Sequence, residues 1–112
     1  MIGTVRTSDI TAEITFLPRG RNVRTGPIVG RSLGCEIVID GALYEVRFDL
    51  VPGSSIALGS TAVLDGTFAD LDAVSERLIV GTSFTLWDRG AIGHGKVLSV
   101  HSGTSGAAQQ GR

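Results

Sequence analysis

A chain of 112 residues with 42% hydrophobic and 19% charged residues has the composition of one globular domain and not that of a disordered segment. Its formal net charge of −1 excludes a global field that would recruit nucleic acid or an anionic membrane, and no apolar run approaches the roughly 20 residues of a membrane-spanning helix. The single cysteine, Cys35, excludes an internal disulfide and a cysteine-built metal site.

The first predicted element, after a short lead over residues 1–8, is a strand over residues 10–16. Its apolar side chains alternate with polar ones, which is typical of a half-buried strand: Ile10, Ala12, Ile14 and Phe16. Residues 19–31 follow as a loop, because glycines and a proline interrupt regular structure there. This loop contains no acid and four arginines: Arg19, Arg21, Arg24 and Arg31. A loop of about a dozen residues is long enough to suggest a binding role.

The next segment predicts a β-hairpin. A strand over residues 35–40 leads into a turn at Asp40 and Gly41. The strand after the turn alternates apolar and polar residues, so that four side chains share one face: Tyr44, Val46, Phe48 and Leu50. We expect this face and the apolar face of the first strand to form one core.

Further along, the sequence predicts a strand around residues 61–64 and then a turn at Asp65 and Gly66. Residues 68–76 have room for a single helical turn, and residues 78–80 predict a short strand. The last hairpin has a strand over residues 84–87, a turn at Asp88, Arg89 and Gly90, and a closing strand over residues 97–100. Between turn and closing strand lies a predicted structural bend: Gly93, His94 and Gly95.

Strands that recur at close spacing, separated by glycine turns and without a long helical period, predict an all-β protein. We expect a closed antiparallel β-barrel of six or seven strands over residues 9–101. Residues 102–112 are small and polar, which predicts a flexible tail that is dispensable for folding.

The order of these motifs resembles the C-terminal β-barrel domain of elongation factor Tu and related translational GTPases. The resemblance begins with residues 10–17 (ITAEITFL), Gly20, Arg21 and residues 44–50. Residues 51–53 and 58–60 resemble two loop elements of that family, and residues 84–88 and 93–97 resemble its closing hairpin. The resemblance covers residues 10–100 and implies the barrel fold.

This sequence also departs from the family pattern. His94 stands where the family's glycine bend has a small residue, and Ser60 stands where an acid is usual. The 19–31 loop lacks the family's His-Thr-Pro-Phe run. We expect no GTPase domain before the barrel, so the resemblance is not expected to extend to nucleotide chemistry. In that family the domain is a surface for transfer RNA and other proteins, which implies binding of a protein or RNA partner without nucleotide or other cofactor.

The arginines of the 19–31 loop are the candidate partner-binding residues, because guanidinium groups suit phosphate and carboxylate partners. A merely solvated loop is the competing interpretation. Residues 93–95 lack the spacing of a phosphate-binding loop, and the two histidines, His94 and His101, are too few for a metal site. The acids of residues 70–76 read as a solvated loop, and Cys35 reads as a small buried residue.

We therefore expect a stand-alone binding module that is not an enzyme. One alternative is an inhibitor or immunity-type protein that mimics an elongation-factor surface. A second alternative is a small enzyme that uses His94 with an acidic residue, although no nucleophile, base and orienting group occur in a recognisable spacing. Without a signal-peptide pattern, a cytoplasmic location is expected, with no membrane contact.

Overall fold

The computed structural model describes residues 8–101, so the predictions for the lead up to residue 7 and for the 102–112 tail lie outside the described residues. Six long strands form a closed antiparallel barrel: β1 (Ile10–Phe16), β3 (Ser32–Ile39), β4 (Ala42–Asp49), β6 (Thr61–Phe68), β7 (Ser83–Trp87) and β8 (Ala91–Val100). Around the barrel their order is β1, β6, β4, β3, β7, β8, and β8 pairs with β1 to close it. The predicted all-β closed barrel is confirmed.

Two shorter strands and one helical segment complete the architecture. The strand β2 (Ile28–Val29) pairs with β5 (Ser55–Ile56) as a separate two-stranded sheet. A single helical turn, α1 (Leu71–Val74), continues as a 3-10 turn over Ser75–Arg77. The side chain of Asp70 caps α1 by accepting a hydrogen bond from the amide of Ala73 at 3.3 Å. The predicted helical turn is therefore confirmed.

The barrel interior is filled by the faces that alternation predicted. All four apolar side chains of β1 are buried, and so are Val46 and Phe48 on β4 and Leu50 directly after it. Tyr44 is only half-buried and packs against the edge of the same core. The hairpin turn is confirmed as well, since Asp40 and Gly41 both have positive φ, of 51° and 81°, as a two-residue β-hairpin turn requires.

One predicted turn and one predicted strand are wrong. Asp65 and Gly66 do not turn the chain, because β6 runs through them to Phe68 and pairs with both β1 and β4. Residues 78–80 are not a strand: the amide of Leu78 donates to Ser75 O at 3.2 Å, which continues the turn after the helix. The exposure of Ile79 and Val80 follows, since no neighbouring strand covers them.

The predicted bend at residues 93–95 is also corrected, because β8 passes through these residues without interruption. Its glycines instead allow close packing. A Cβ atom at Gly93 would lie 2.7 Å from the carbonyl oxygen of Thr15, and one at Gly95 would lie 2.6 Å from the ring of Phe84. The barrel thus closes because β8 has no side chains at the two positions where β1 and Phe84 approach it.

Candidate functional site

The arginine-rich loop, residues 19–31, lies against the β7–β8 hairpin. Asn22 fixes it there: its Nδ2 donates to the carbonyl oxygens of Ile92 at 2.8 Å and Leu17 at 3.1 Å. Its Oδ1 accepts from the amide of Arg24 at 2.9 Å. One side chain therefore satisfies three backbone groups and joins the loop to the start of β8, a type of local bond that asparagine favours in turns.

Val23 supplies a second attachment. It packs on Gly90, which has a φ of 153° and leaves no space for a side chain where Val23 approaches. Val23 of the loop thus packs on the hairpin turn at residues 88–90. Arg89 in this turn also has a positive φ, of 62°. Asn22 and Val23 therefore both attach the loop to the hairpin, although the loop contains only two residues of strand.

Loop and hairpin enclose an open cleft of about 650 Å³, which we call the arginine-loop cleft. It is lined by residues 23–27 and by Asp88 and Arg89. Asp88 lies between two cations: its carboxylate is 3.5 Å from the guanidinium of Arg24 and 3.6 Å from Nε of Arg89. The cleft therefore holds one carboxylate and two guanidinium groups.

The four candidate arginines differ in their surroundings. Arg24 is partly engaged, because it pairs with Asp88 and its Nε is buried without a hydrogen-bond partner. Arg19, Arg21 and Arg31 are exposed and have no ion pair within residues 8–101. The loop thus presents three available guanidinium groups and one that is partly neutralised by the hairpin.

The sequence did not reveal the pairing of Arg24 with Asp88, since 64 positions separate them. In the sequence, Arg24 could not be distinguished from the other three arginines of the loop. The turn signal at residues 88–90 could have indicated an acid at a hairpin tip, but only the packing of the loop on that tip brings the two side chains together.

The histidines are separated and have different surroundings. His94 is exposed on β8 and faces Thr85 and Thr15 across the neighbouring strands. His101 directly follows β8, and its Nε2 lies 2.8 Å from the hydroxyl of Thr11 on the neighbouring strand β1. Among the described residues, no group of three or more histidine, cysteine or acidic side chains is placed to hold a metal ion.

The sequence did not indicate a role for Asp9, which directly precedes β1. Asp9 is 6% exposed, and its Oδ2 accepts a hydrogen bond from the amide of Phe68 at 2.8 Å. Its backbone carbonyl accepts from the amide of His101 at 2.8 Å, so this residue links the two ends of the described chain. Thr11 extends the contact by donating to Asp65 at 2.6 Å. These bonds join the start of β1 to β6 and to the residue that follows β8.

The chain was compared with protein-family models and with curated proteins. No protein-family model matches it, and a search of curated proteins found no match. The resemblance to the elongation factor Tu domain therefore stays a prediction, and the structure shows a closed antiparallel β-barrel.

A second, smaller cleft adjoins the arginine-loop cleft at Asp88. It measures about 270 Å³ and is lined by Gly34, Cys35, Glu36, Glu45, Trp87 and Asp88. Burial, and secondarily the nearby Asp88 carboxylate, raises the pKa of the Cys35 thiol from 9.0 to about 12. The thiol is therefore protonated near neutral pH and buried, as the sequence predicted for a small core residue.

No helix among residues 8–101 is long and apolar enough to cross a membrane.

Proposed function

We propose that this barrel is a binding module, resembling the C-terminal domain of elongation factor Tu, which binds an acidic protein partner without nucleotide hydrolysis. The shape of the arginine-rich loop is the observation that carries this proposal. Asn22 and Val23 hold the loop against the hairpin, while Arg19, Arg21 and Arg31 stay exposed. A loop that is ordered before binding loses less conformational entropy when it meets its partner.

A protein partner suits the loop better than RNA does. Val23 and Val29 are 52% and 59% exposed, so apolar area accompanies the arginines. The loop has no aromatic side chain on which bases could stack, and stacking supplies about 1–3 kcal/mol per base in single-stranded complexes. Arginine beside exposed apolar side chains is the composition of a protein interface.

The small-enzyme alternative has less support in the geometry. It needs a carboxylate beside His94 that would orient the ring or share its proton. Within residues 8–101, His94 has threonines as its cross-strand neighbours and no carboxylate bonded to it.

The test is a pull-down from source-cell extract with the wild type and with a double variant, Arg19→Glu and Arg21→Glu. These two side chains are exposed, so the variant should melt at the wild-type temperature. We expect the loss of a specific protein and at least tenfold weaker binding to it, which is about 1.4 kcal/mol. A matched control, Arg47→Glu on β4, adds the same kind of charge change outside the loop.

Three results would contradict the proposal. One is equal capture by the wild type and the double variant, and another is loss of capture in the Arg47→Glu control. The third is capture that disappears after ribonuclease treatment, because the partner would then be RNA. Binding to an acidic protein should also weaken as salt increases, because added salt shortens the Debye length, which is about 8 Å at physiological ionic strength, and so screens exposed charge pairs more strongly.

A further inference from the structure

The outer surface of three neighbouring strands carries an exposed apolar group with acids beside it. We call it the tryptophan face and define it by Glu36 and Val38 on β3, Leu43 and Glu45 on β4, and Trp87 on β7. Trp87 is 40% exposed and Leu43 is 53% exposed. Large side chains of this kind at the centre of a sheet surface are typical of interaction sites and not of solvated barrel walls.

Strand register brings these five residues together. Glu36 is paired with Glu45 on one side and with Trp87 on the other. Val38, two positions along the same strand, is paired with Leu43. Because side chains two positions apart share one face of a strand, all five lie side by side on the outside of the barrel.

The face has a cavity beside it. The cleft of about 270 Å³ at Trp87 is lined in part by Gly34, and a Cβ atom built there would meet no atom within 4 Å. The missing side chain at Gly34 leaves a recess next to an indole ring. The open space at Gly34 therefore leaves room beside the indole ring for part of a partner side chain.

The charges of the face indicate the chemistry of that partner. Glu36 and Glu45 lie directly opposite each other, an arrangement of like charges that destabilises a sheet. Arg47, which is paired with Gly34, lies on the same side of β4 but does not line the cleft at Trp87. Two acids and one base leave this side of the sheet with a net negative charge. Neither Glu36 nor Glu45 has an ion pair within residues 8–101, whereas Asp88 at the end of the cleft is shared by Arg24 and Arg89. A lysine or arginine in the recess would relieve this repulsion and could lie on the indole ring as a cation–π pair.

We propose that the tryptophan face is a docking surface for a basic, extended segment of a partner protein. The basic side chains of that segment contact Glu36 and Glu45, and one of them fills the recess at Gly34 against Trp87. Apolar side chains of the segment cover Leu43 and Val38. This surface has the opposite charge to the arginine-rich loop and meets the arginine-loop cleft at Asp88, which lines both clefts. The proposal for the tryptophan face does not depend on the function proposed for the loop.

The indole itself reports binding, because Trp87 is the single tryptophan of the chain. The probe is a synthetic peptide that alternates lysine or arginine with valine, titrated into the full chain while tryptophan emission is recorded. We expect a saturable change in emission with the basic peptide and none with a peptide in which glutamate replaces every basic residue. The double variant Glu36→Gln and Glu45→Gln should weaken binding at least tenfold.

Three variants test whether the peptide binds at the tryptophan face and not elsewhere on the barrel. Glu76→Gln removes an exposed acid from the 3-10 turn, away from the face, and should leave the affinity unchanged. Arg19→Glu with Arg21→Glu should also leave it unchanged. Gly34→Leu should abolish binding while the melting temperature stays near that of the wild type, because the added side chain fills the recess and its Cβ meets no other atom.

Several results would overturn the proposal. No saturable change at millimolar peptide would do so, as would equal affinity in the double glutamine variant or unchanged binding by Gly34→Leu. Sedimentation of the protein alone gives a further decisive outcome. Self-association that disappears both in the double glutamine variant and in the Arg19→Glu, Arg21→Glu variant would show that a second copy, and not a partner segment, occupies the face.

Discussion

Gly66 on β6 lies directly opposite Phe48 on β4, and the ring of Phe48 occupies the space of the side chain that Gly66 lacks. A Cβ atom at Gly66 would be 2.8 Å from Cε1 of Phe48 and 3.3 Å from Cγ2 of Val46. The β4–β6 pairing spans only three residue pairs, 46–48 with 66–68. This contact therefore lies in one of the shortest pairings of the barrel.

The first prediction concerns this contact. Gly66→Ala should reduce the free energy of unfolding by about 1–3 kcal/mol, because the added methyl group overlaps a fully buried ring. Gly34→Ala is the matched control: it is also a strand glycine, but its Cβ would meet open space, so the stability should change little. Chemical denaturation measures both. Equal stability of Gly66→Ala and Gly34→Ala would contradict this packing.

The ring itself should matter more than the glycine. Phe48 is completely buried, so Phe48→Ala should reduce the free energy of unfolding by about 3–5 kcal/mol. Leu43→Ala on the outer face of the same strand should change it by less than about 1 kcal/mol, because that side chain is exposed. A loss within about 0.5 kcal/mol for Phe48→Ala would mean that the strand register is different.

The third prediction tests the attachment of the arginine-rich loop. Asn22→Ala removes three hydrogen bonds to partly buried backbone groups, and we expect a loss of about 1–3 kcal/mol. Amide hydrogen exchange in residues 19–27 should also accelerate. Thr25→Ala, an exposed change in the same loop, provides the control. Unchanged exchange in Asn22→Ala would show that Val23 and Gly90 alone hold the loop.

The fourth prediction follows from the buried thiol. The pKa of Cys35 is raised to about 12 in the folded chain from 9.0, so the folded state keeps its proton where the unfolded state loses it. The thiol's contribution to stability is complete below pH 9 and is lost as the pH rises toward 12. The slope should approach about 1.4 kcal/mol per pH unit.

The measurement compares the wild type with Cys35→Ala between pH 7 and pH 11. The comparison is needed because other side chains also change charge in alkaline solution, and the difference between the two proteins isolates the thiol. The wild type should lose more stability than the variant above pH 9. Parallel pH curves would contradict a buried thiol, and so would rapid reaction of native Cys35 with a thiol reagent at pH 8.

The sequence by itself determined the fold class and most of the core. Alternation of apolar and polar residues has a period of two, so Ile10, Ile14, Val46 and Phe48 had to share an interior face once they were in strands. The hairpin turn at Asp40 and Gly41 was equally local, because its positive φ angles favour those residue types. Such features depend only on neighbours in the chain, and the sequence contains them completely.

The tertiary structure decided whether a glycine lies in a turn or at a close approach within a strand. Asp65 and Gly66 have the local signature of a turn, but β6 passes through them because the ring of Phe48, 18 positions earlier, needs the empty site at Gly66. The same holds for β8, where Gly93 and Gly95 admit β1 and Phe84. A glycine permits both a turn and a close approach, and only the distant partner selects between them.

The candidate site, too, was determined partly by the sequence and partly by the tertiary structure. The sequence identified a loop with four arginines, and composition alone was enough for that. The engagement of Arg24 by Asp88, the anchoring by Asn22, and the assembly of Glu36, Glu45 and Trp87 on one face all join residues from different strands or loops. Barrel closure sets these contacts, because it fixes which strands become neighbours and in which register their side chains meet.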